Sequence, residues 1–417
     1  MDILKIAALL LMVFVLATVL DSGWLSESDS LAKVYLDIEM IDELEERPGN
    51  VSIVGKNSVR DVGVLARVRG NSTISAEKKS YSLRFATKTS LLGMNGSRRW
   101  ALIGFPFDKT LIRTPLAFEY ARAIGMEHVS QSEFCEVYLN GQYKGLYLMM
   151  QPITFSSLGM ESGDGNFIIE RNSWRQEIGV SYIMTNDELR FEINYGPVED
   201  QVYMQECWDT VNYAEAYIQS GDEELYSKFI DVDSFVDMYI VQELIKSVDF
   251  AKTSDRYYLK NGKLYAGPIW DVDLSMGNVS TQESQYRKYH NTTDAGLGDS
   301  AEMLWAQSDW YKWLCQDPNF MRRVCKRWRE IYPITENLVY DNELGKNRID
   351  ALTERYRQAI EDNYDESRGW SINEKYSIYE YDGEFSSYEE AVEHLREWLI
   401  WRIEWLNDEF AWIEEGL

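Results

Sequence analysis

The alternation of apolar and polar residues predicts a β-rich first half. Residues 33–40 alternate with a period of two, residues 51–68 contain two strands with a turn at Gly55-Lys56-Asn57, and residues 79–86 form another strand. A hairpin is predicted around Asn140-Gly141, because this dipeptide strongly favours a tight turn. The strands of this hairpin and two later strands are predicted at 136–139, 145–150, 167–170 and 189–193.

The second half has mainly helical periodicity. Apolar residues recur at helical spacing in one segment of the first half, 108–124, and then in a series after residue 200. The later helices are predicted at 202–219, 222–229, 232–247 and over most of the chain from 300 onward. A second hairpin turns at Asn261-Gly262, and the polar residues 281–299 predict a long loop. We therefore expect an α+β fold with a β-rich region at 31–198 and a mainly helical region at 199–417.

The N-terminal residues 1–30 differ from both regions. Lys5 precedes an uncharged run from Ile6 to Leu20, and a largely polar stretch follows. The run is shorter than the about 20 residues of a spanning helix and is typical of a secretory signal or an uncleaved anchor. We expect an exported or membrane-anchored protein, in contact with the membrane only through this segment.

Net charge and the rare residues exclude several classes of function. The 417 residues carry a net charge of −27, which argues against binding to nucleic acid, so an anionic ligand would need a local basic patch. The four cysteines form no CxxC pair and match no zinc-site spacing, and the three histidines are far apart. We expect buried, unpaired cysteines, although Cys315 and Cys325 could pair in an oxidising compartment.

Residues 267–273, Gly-Pro-Ile-Trp-Asp-Val-Asp, place two carboxylates in an apolar, strand-like stretch. A period of two would put Asp271 and Asp273 on one face, where they repel and are costly to desolvate. A hard divalent cation such as Mg²⁺ between them would remove this cost. The alternative is an exposed edge strand whose polar face is solvated.

Basic and small residues at 69–85 form a second candidate site. In the turn Arg69-Gly70-Asn71-Ser72-Thr73, backbone N–H groups can cradle a phosphate. Strand parity predicts that Lys79 points into a cleft and Lys78 points out, so that Lys79 would need an anionic partner. The alternative is a basic strand edge that prevents aggregation.

Two charged residues of the predicted 108–124 helix are further candidates. Glu119 could pair with Lys79, as in protein kinases, and Arg113 could contact phosphate. The alternative for Glu119 is a solvated helix face.

Asp249 is predicted at the C-terminal end of a helix, where the helix dipole disfavours a carboxylate. It would suit a general base or a group that orients a hydroxyl nucleophile. A solvated Asp just past the helix end fits equally well.

Together these segments resemble the CotH kinase family, the spore-coat protein H type of atypical kinase, over residues 33 to 410. The resemblance rests on several motifs in order: 69–73 with 78–81, 108–121, 138–147, 231–235, 243–249, 267–273 with Gly277-Asn278, and Trp398, Arg402 and Trp405.

The resemblance implies a two-lobed, ATP-dependent protein kinase that phosphorylates Ser or Thr of a surface or coat protein. Lys79 then looks like the phosphate-contacting lysine, with Asn71 and Ser72 in the phosphate loop. Asp249 looks like the catalytic-loop aspartate, and Asp271, supported by Asp273, looks like the ligand of Mg²⁺, with Mn²⁺ or Ca²⁺ as alternatives.

Two departures from the family pattern bear on activity. Ser247 stands where the family usually has Asn, and Gln151 where it often has Glu. A Ser hydroxyl replaces an Asn amide poorly as a metal ligand. A pseudokinase or surface scaffold is therefore an alternative function, and a glycan-associated protein is a third.

Overall fold

The computed structural model describes residues 31–41, 45–161, 165–173, 181–280, 308–376, 380–381 and 383–417. The predicted signal or anchor segment and the predicted loop at 281–299 lie outside these residues. None of the helices in the described residues has the length and apolar composition of a membrane span.

The strands form two sheets. They are β1 (Ala32–Asp37), β2 (Arg47–Val54), β3 (Val59–Arg69), β4 (Ser80–Thr89), β5 (Ser97–Ile103), β6 (Ser132–Leu139), β7 (Gln142–Met150), β8 (Phe167–Asn172), β9 (Tyr182–Met184), β10 (Arg190–Tyr195), β11 (Thr253–Lys260) and β12 (Lys263–Ala266).

The first sheet is a closed seven-stranded barrel in the order β1-β2-β3-β4-β5-β7-β6. Neighbouring strands are antiparallel except β1 and β6, which pair in parallel and close the barrel. Alternating side chains such as Val34 and Leu36 on β1, and Leu83 and Phe85 on β4, fill the interior. The polar residues between them, including several arginines, must therefore lie on the outer face.

The second sheet has the order β12-β11-β8-β10-β9. Its β8 pairs antiparallel with β11, so strands from both sides of the predicted boundary at residues 198 and 199 share one sheet. One hydrophobic core cluster joins residues of this sheet to the helices. The boundary therefore does not separate two independent sheets.

The helices of the described residues pack around this second sheet and beside the barrel. They are α1 (Arg113–Ala123), α2 (Gln201–Ser220), α3 (Glu223–Tyr226), α4 (Val232–Ile245), α5 (Tyr311–Leu314), α6 (Pro318–Glu336), α7 (Arg348–Arg355), α8 (Arg357–Asn363) and α9 (Tyr388–Gly416), and a 3₁₀ turn spans Ser72–Ser75.

Side-chain caps explain where the longer helices begin. Asp200, Asp231, Asp317 and Ser387 each accept a hydrogen bond from a backbone N–H of the first turn of α2, α4, α6 and α9. Each cap satisfies a donor that would otherwise have no partner in the helix.

The α+β class is confirmed, and the hairpins predicted at Asn140-Gly141 and Asn261-Gly262 form as β6–β7 and β11–β12. The four cysteines are free.

The helix predicted from residue 108 begins only at Arg113, because the Asp108 carboxylate accepts hydrogen bonds from the backbone N–H groups of Thr110 and Arg113. The helix predicted at 222–229 is the single turn α3.

A buried ion pair links the long C-terminal helix α9 to the central helix α4. The Arg402 Nη2 donates to Glu243 Oε2 at 2.9 Å, and its Nε donates to the Glu243 carbonyl at 2.8 Å. Both side chains are fully buried. Glu243 lies two residues before the end of α4, so the pair fixes the helix that leads to Asp249.

We expect Arg402→Met to lower the free energy of unfolding by about 3–5 kcal/mol, because it leaves the Glu243 carboxylate buried without its charge partner. Arg396→Met on the same helix is the control, since its partner Asp350 is exposed and such pairs contribute about 0–1 kcal/mol. Urea unfolding measures both changes. Equal effects of the two substitutions would contradict the importance of the buried pair.

Candidate functional site

A cleft of about 890 Å³ lies between the outer face of the barrel and the segment 249–274. The barrel side is lined by residues of β3, β4 and β5 and by the turn after β3. The opposite side is lined by β8, β11 and the chain after β12. Its charged lining residues are Glu46, Arg67, Arg69, Arg84, Arg99, Glu170, Asp249, Arg256, Asp271 and Asp273.

Asp271 and Asp273 both line this cleft, although the segment that carries them is not a strand. The strand predicted for 267–273 is wrong, since β12 ends at Ala266. Pro268 follows closely and has no N–H to donate to a sheet. Asp271 then adopts a left-handed backbone conformation with φ 56°. Aspartate is one of the few non-glycine residues that adopt this conformation readily.

The surroundings of the two carboxylates are strongly acidic. Burial raises the pKa of Asp273 well above its usual value, and the charges of Asp271, Asp108 and Asp249 raise it further. Asp271 itself is exposed, and its Oδ2 accepts a hydrogen bond from the Ser254 hydroxyl at 3.1 Å. A cation at this point would stabilise the ionised form of both carboxylates.

The loop that follows Asp273 is held from several sides. Arg113 is buried, donates to the carbonyls of Ser275 and Met276, and forms an ion pair of 2.6 Å with Asp108. Asn278 Nδ2 donates to the carbonyls of Asp273 and Phe107.

Gly277 completes this loop. Its φ is 78°, and a Cβ atom would lie 2.7 Å from the Trp398 ring, so only glycine fits. Residues from motifs that are far apart in the sequence therefore pack together and support the loop that follows Asp273.

Asp249 also lines the cleft, but it is not at the end of a helix. Helix α4 ends at Ile245, Lys246 adopts a left-handed conformation with φ 46°, and Asp249 follows in a turn. Its carbonyl accepts the N–H groups of Lys252 and Thr253. Burial lowers the pKa of Lys252 to about 7, and the charge of Asp249 opposes this shift.

Arg69 and Arg256 bring positive charge to the acidic side of the cleft. Their guanidinium groups lie 5.6 Å and 5.0 Å from the ring of Trp270, the residue before Asp271. Arg256 also pairs with Glu170 at 2.9 Å. Burial lowers the pKa of Arg69 to about 10, while the charge of Asp271 opposes this shift, so Arg69 remains charged beside the carboxylate.

Lys78, which was predicted to point outward, is the buried lysine, and neither Lys78 nor Lys79 lines the cleft. Lys78 is buried, and its Nζ donates to the Leu146 carbonyl at 2.9 Å and to Asn363 Oδ1 at 2.8 Å. Lys79 is only partly buried, its Nζ donates to the Ile74 carbonyl, and it does not line the cleft. The parity argument failed because both lysines precede β4, which begins at Ser80. In addition, the apolar face of β4 fills the barrel, whereas the cleft lies against its outer face.

The other predicted ligand residues divide into two groups. Asn71 and Ser72 line the cleft in the turn after β3, where Gly70 has φ 124°. Arg113 and Glu119 do not line the cleft. The charges that act on Glu119 are those of Arg348, Arg122, Arg355 and Glu133, and its burial raises its pKa. Glu119 therefore lies among these four charged residues rather than beside Lys79, its expected partner.

The two residues that depart from the family pattern do not line the cleft. Ser247 is buried and does not line the cleft. Gln151 is also buried, and its amide donates to the carbonyl of Asn95.

The sequence of the chain matches the family model described as CotH kinase protein over residues 66–406, well over half of its length. The chain belongs to the CotH kinase family. This match confirms the resemblance, and the family indicates a kinase-like protein associated with the spore coat. No curated protein matches this CotH family member.

The arginines of the barrel wall are the main feature that sequence reasoning missed in this CotH kinase domain. Arg67, Arg84 and Arg99 line the cleft with Arg69, and none of the first three was singled out. The sequence contained a signal for these arginines, because each of them alternates along its strand with residues that fill the barrel. Only the pairing of β3, β4 and β5 brings them together.

Within the described part of the chain, no three His, Cys, Asp or Glu residues are grouped closely enough to hold a metal ion alone. This CotH domain offers the carboxylates of Asp271 and Asp273 at the cleft. Magnesium is commonly bound by one or two carboxylates together with substrate phosphates and water, so this donor set fits such an ion.

We expect Asp273→Asn to stabilise the metal-free CotH domain by roughly 1–2 kcal/mol, because it removes a half-buried charge that three other carboxylates repel. Urea unfolding at neutral pH in a chelating buffer measures the change.

Asp108→Asn is the matched control for this experiment. The Asp108 carboxylate accepts hydrogen bonds from Thr110 and Arg113, so its replacement should destabilise the domain by about 1–3 kcal/mol. Destabilisation by both substitutions would contradict the electrostatic account of Asp273.

Proposed function

We propose that this CotH family member is an ATP-dependent protein kinase that transfers the γ-phosphoryl group of ATP to Ser or Thr of an acceptor protein. The observation that carries the proposal is the charge arrangement of the cleft. Asp249, Asp271 and Asp273 line the same cavity as Arg69 and Arg256. Phosphoryl transfer requires mainly positioning and electrostatic stabilisation, which such opposed charges can supply.

Each residue has a distinct proposed role. Asp271 and Asp273 hold Mg²⁺, with Mn²⁺ or Ca²⁺ as alternatives, and this ion would neutralise charge on the phosphates. Arg69 and Arg256 bind phosphate oxygens, and the turn with Asn71 and Ser72 offers backbone N–H groups.

Asp249 orients the acceptor hydroxyl and accepts its proton. Lys79, which the resemblance implied for phosphate contact, is replaced in this role by Arg69, because Arg69 lines the cleft beside Asp271.

A pseudokinase is the second candidate function. The observation that favours it is the position of Lys79 and Glu119 away from the cleft lining, together with Ser247 in place of Asn. Nucleotide binding without transfer to any acceptor would support this alternative. The two candidates share the fold and differ only in turnover.

The proposed location is outside the cytoplasm, at a spore or cell surface. It rests on the uncharged run from Ile6 to Leu20 and on the spore-coat association of the family. The two-lobed arrangement implied by the resemblance is likewise proposed, with the barrel as one lobe and the second sheet with its helices as the other.

Asp271→Asn should abolish the thermal stabilisation that ATP gives in the presence of Mg²⁺, because the ion loses a charged ligand. Asp249→Asn should keep this stabilisation and lower phosphoryl transfer by about 10²–10⁴-fold, the usual contribution of a general base. Thermal unfolding and transfer of labelled phosphate measure the two effects.

Asp233→Asn, at an exposed position in the first turn of α4, is the control and should leave both properties unchanged. Full transfer by the Asp249 and Asp271 variants would contradict the proposed kinase site.

Arg69→Gln should weaken ATP binding about tenfold or more, since it removes a charge-assisted contact to phosphate. Lys79→Gln should have little effect, because Lys79 lies outside the cleft lining. Titration of a fluorescent ATP analogue measures both. A larger effect of Lys79→Gln would restore the role that the resemblance implied.

A further inference from the structure

Three arginines on neighbouring barrel strands form a cluster, called here the arginine wall: Arg67 on β3, Arg84 on β4 and Arg99 on β5. Arg84 and Arg99 are direct cross-strand partners, and Arg67 is the partner of Ser82, two residues from Arg84. All three line the cleft. Like charges placed directly opposite each other destabilise a sheet, so this arrangement calls for an anion.

The chain supplies one anion to the wall. Arg84 Nε donates to both carboxylate oxygens of Glu46, at 3.0 Å and 2.8 Å, and its Nη2 also donates to Glu46. The Arg84 hydrogen bond lowers the pKa of Glu46, and the charges of Arg99 and Arg67 contribute as well. Among the described residues, neither Arg67 nor Arg99 forms a salt bridge, so one carboxylate faces three guanidinium groups.

Glu46 is held in a way that permits exchange. The side chains of Arg84 and Glu46 are 37% and 34% exposed, and an exposed ion pair competes poorly with other anions. Arg67 and Arg99 are also exposed to solvent. A second anion can therefore bind beside Glu46 or replace it.

The row of Arg84 and Arg99 lies at a distance from the proposed phosphate site that suits an extended peptide, and Arg67 lies between this row and Arg69. Arg84 pairs with Leu65, four residues before Arg69 on β3. Four residues of a strand span about 13 Å, so the row of Arg84 and Arg99 lies roughly 13 Å from Arg69 along the barrel. An extended peptide covers the same distance in about four residues.

We propose that the arginine wall is an acceptor subsite that binds an acidic side chain, a carboxylate or a phosphoserine, about four residues from the acceptor serine. The proposal rests on the proposed kinase function, and it specifies the acceptor class of that site. Glu46 occupies the subsite when no acceptor is bound and competes with the acceptor.

Binding of labelled peptides tests the subsite without requiring turnover. Each peptide carries one serine in a Gly-rich sequence, with Glu, phosphoserine or Gln four residues before or after it. Fluorescence anisotropy measures their affinity for the full-length protein at low salt.

The wild type should bind a Glu or phosphoserine peptide about tenfold more tightly than its Gln counterpart, as expected for one charge-assisted contact. Arg99→Gln and Arg67→Gln should each reduce this ratio to within about twofold, the loss of that contact. Glu46→Gln should increase affinity for the acidic peptides, because it removes the competing carboxylate.

Arg60→Gln is the matched control, an exposed arginine on β3 that does not line the cleft, and it should leave the ratio unchanged. The phosphoserine and Glu peptides together show which anion the wall prefers. Two results would overturn the proposal: equal binding of acidic and Gln peptides by the wild type, or a loss of ATP affinity in Arg99→Gln, which would assign the wall to nucleotide phosphates.

These outcomes are separate from failure of the kinase proposal. If phosphate transfer is absent while the acidic peptides still bind through the wall, the subsite stands and the protein is a binding module. If transfer occurs equally well with acidic and neutral acceptors, the kinase stands and the subsite is excluded.

Discussion

Repulsion among carboxylates is the constraint on which the candidate site depends. Burial raises the pKa of Asp273, and the nearby charges of Asp271, Asp108 and Asp249 raise it further. Such a group of carboxylates needs positive charge nearby, because each desolvated negative charge makes ionisation of the next carboxylate less favourable. Within the chain, the guanidinium group of Arg69 faces the charge of Asp271. A bound cation would complete the compensation.

The same constraint explains how much of the fold acts as a brace. Arg113 neutralises Asp108 and holds the loop after Asp273, while Gly277 allows Trp398 of the last helix to pack against that loop. The buried pair of Arg402 and Glu243 fixes the helix before Asp249. Most residues of the family motifs therefore hold the cleft residues in place, and only a few of the motif residues line the cleft themselves.

The overall charge and the local charge of this protein act in opposite directions. A net charge of −27 repels polyanions at long range and attracts basic partners. The arginine wall concentrates positive charge in one cleft, where a short anionic group can bind at close range. An acceptor with basic segments would be attracted by the negative net charge, and its isolated acidic or phosphorylated side chains could bind to the arginine wall. Binding of such an acceptor would weaken with added salt, which screens both attractions.

The sequence alone predicts those turns and strands whose signals lie in neighbouring residues. The Asn-Gly turns and most barrel strands could be predicted, because turn preference and side-chain alternation depend on neighbouring residues. The strand β5 was not predicted, and Asp271 and Asp273 were recognised although the strand predicted around them is wrong. Parity failed for Lys78 and Lys79, since only the strand boundary at Ser80 decides which one is buried. The arginine wall exists only where three strands pair, and the role of Arg113 depends on a loop far along the chain. The sequence alone therefore predicted the aspartates that line the cleft. The tertiary structure decided which arginines lie near them, because pairing between distant strands is not encoded in any single segment.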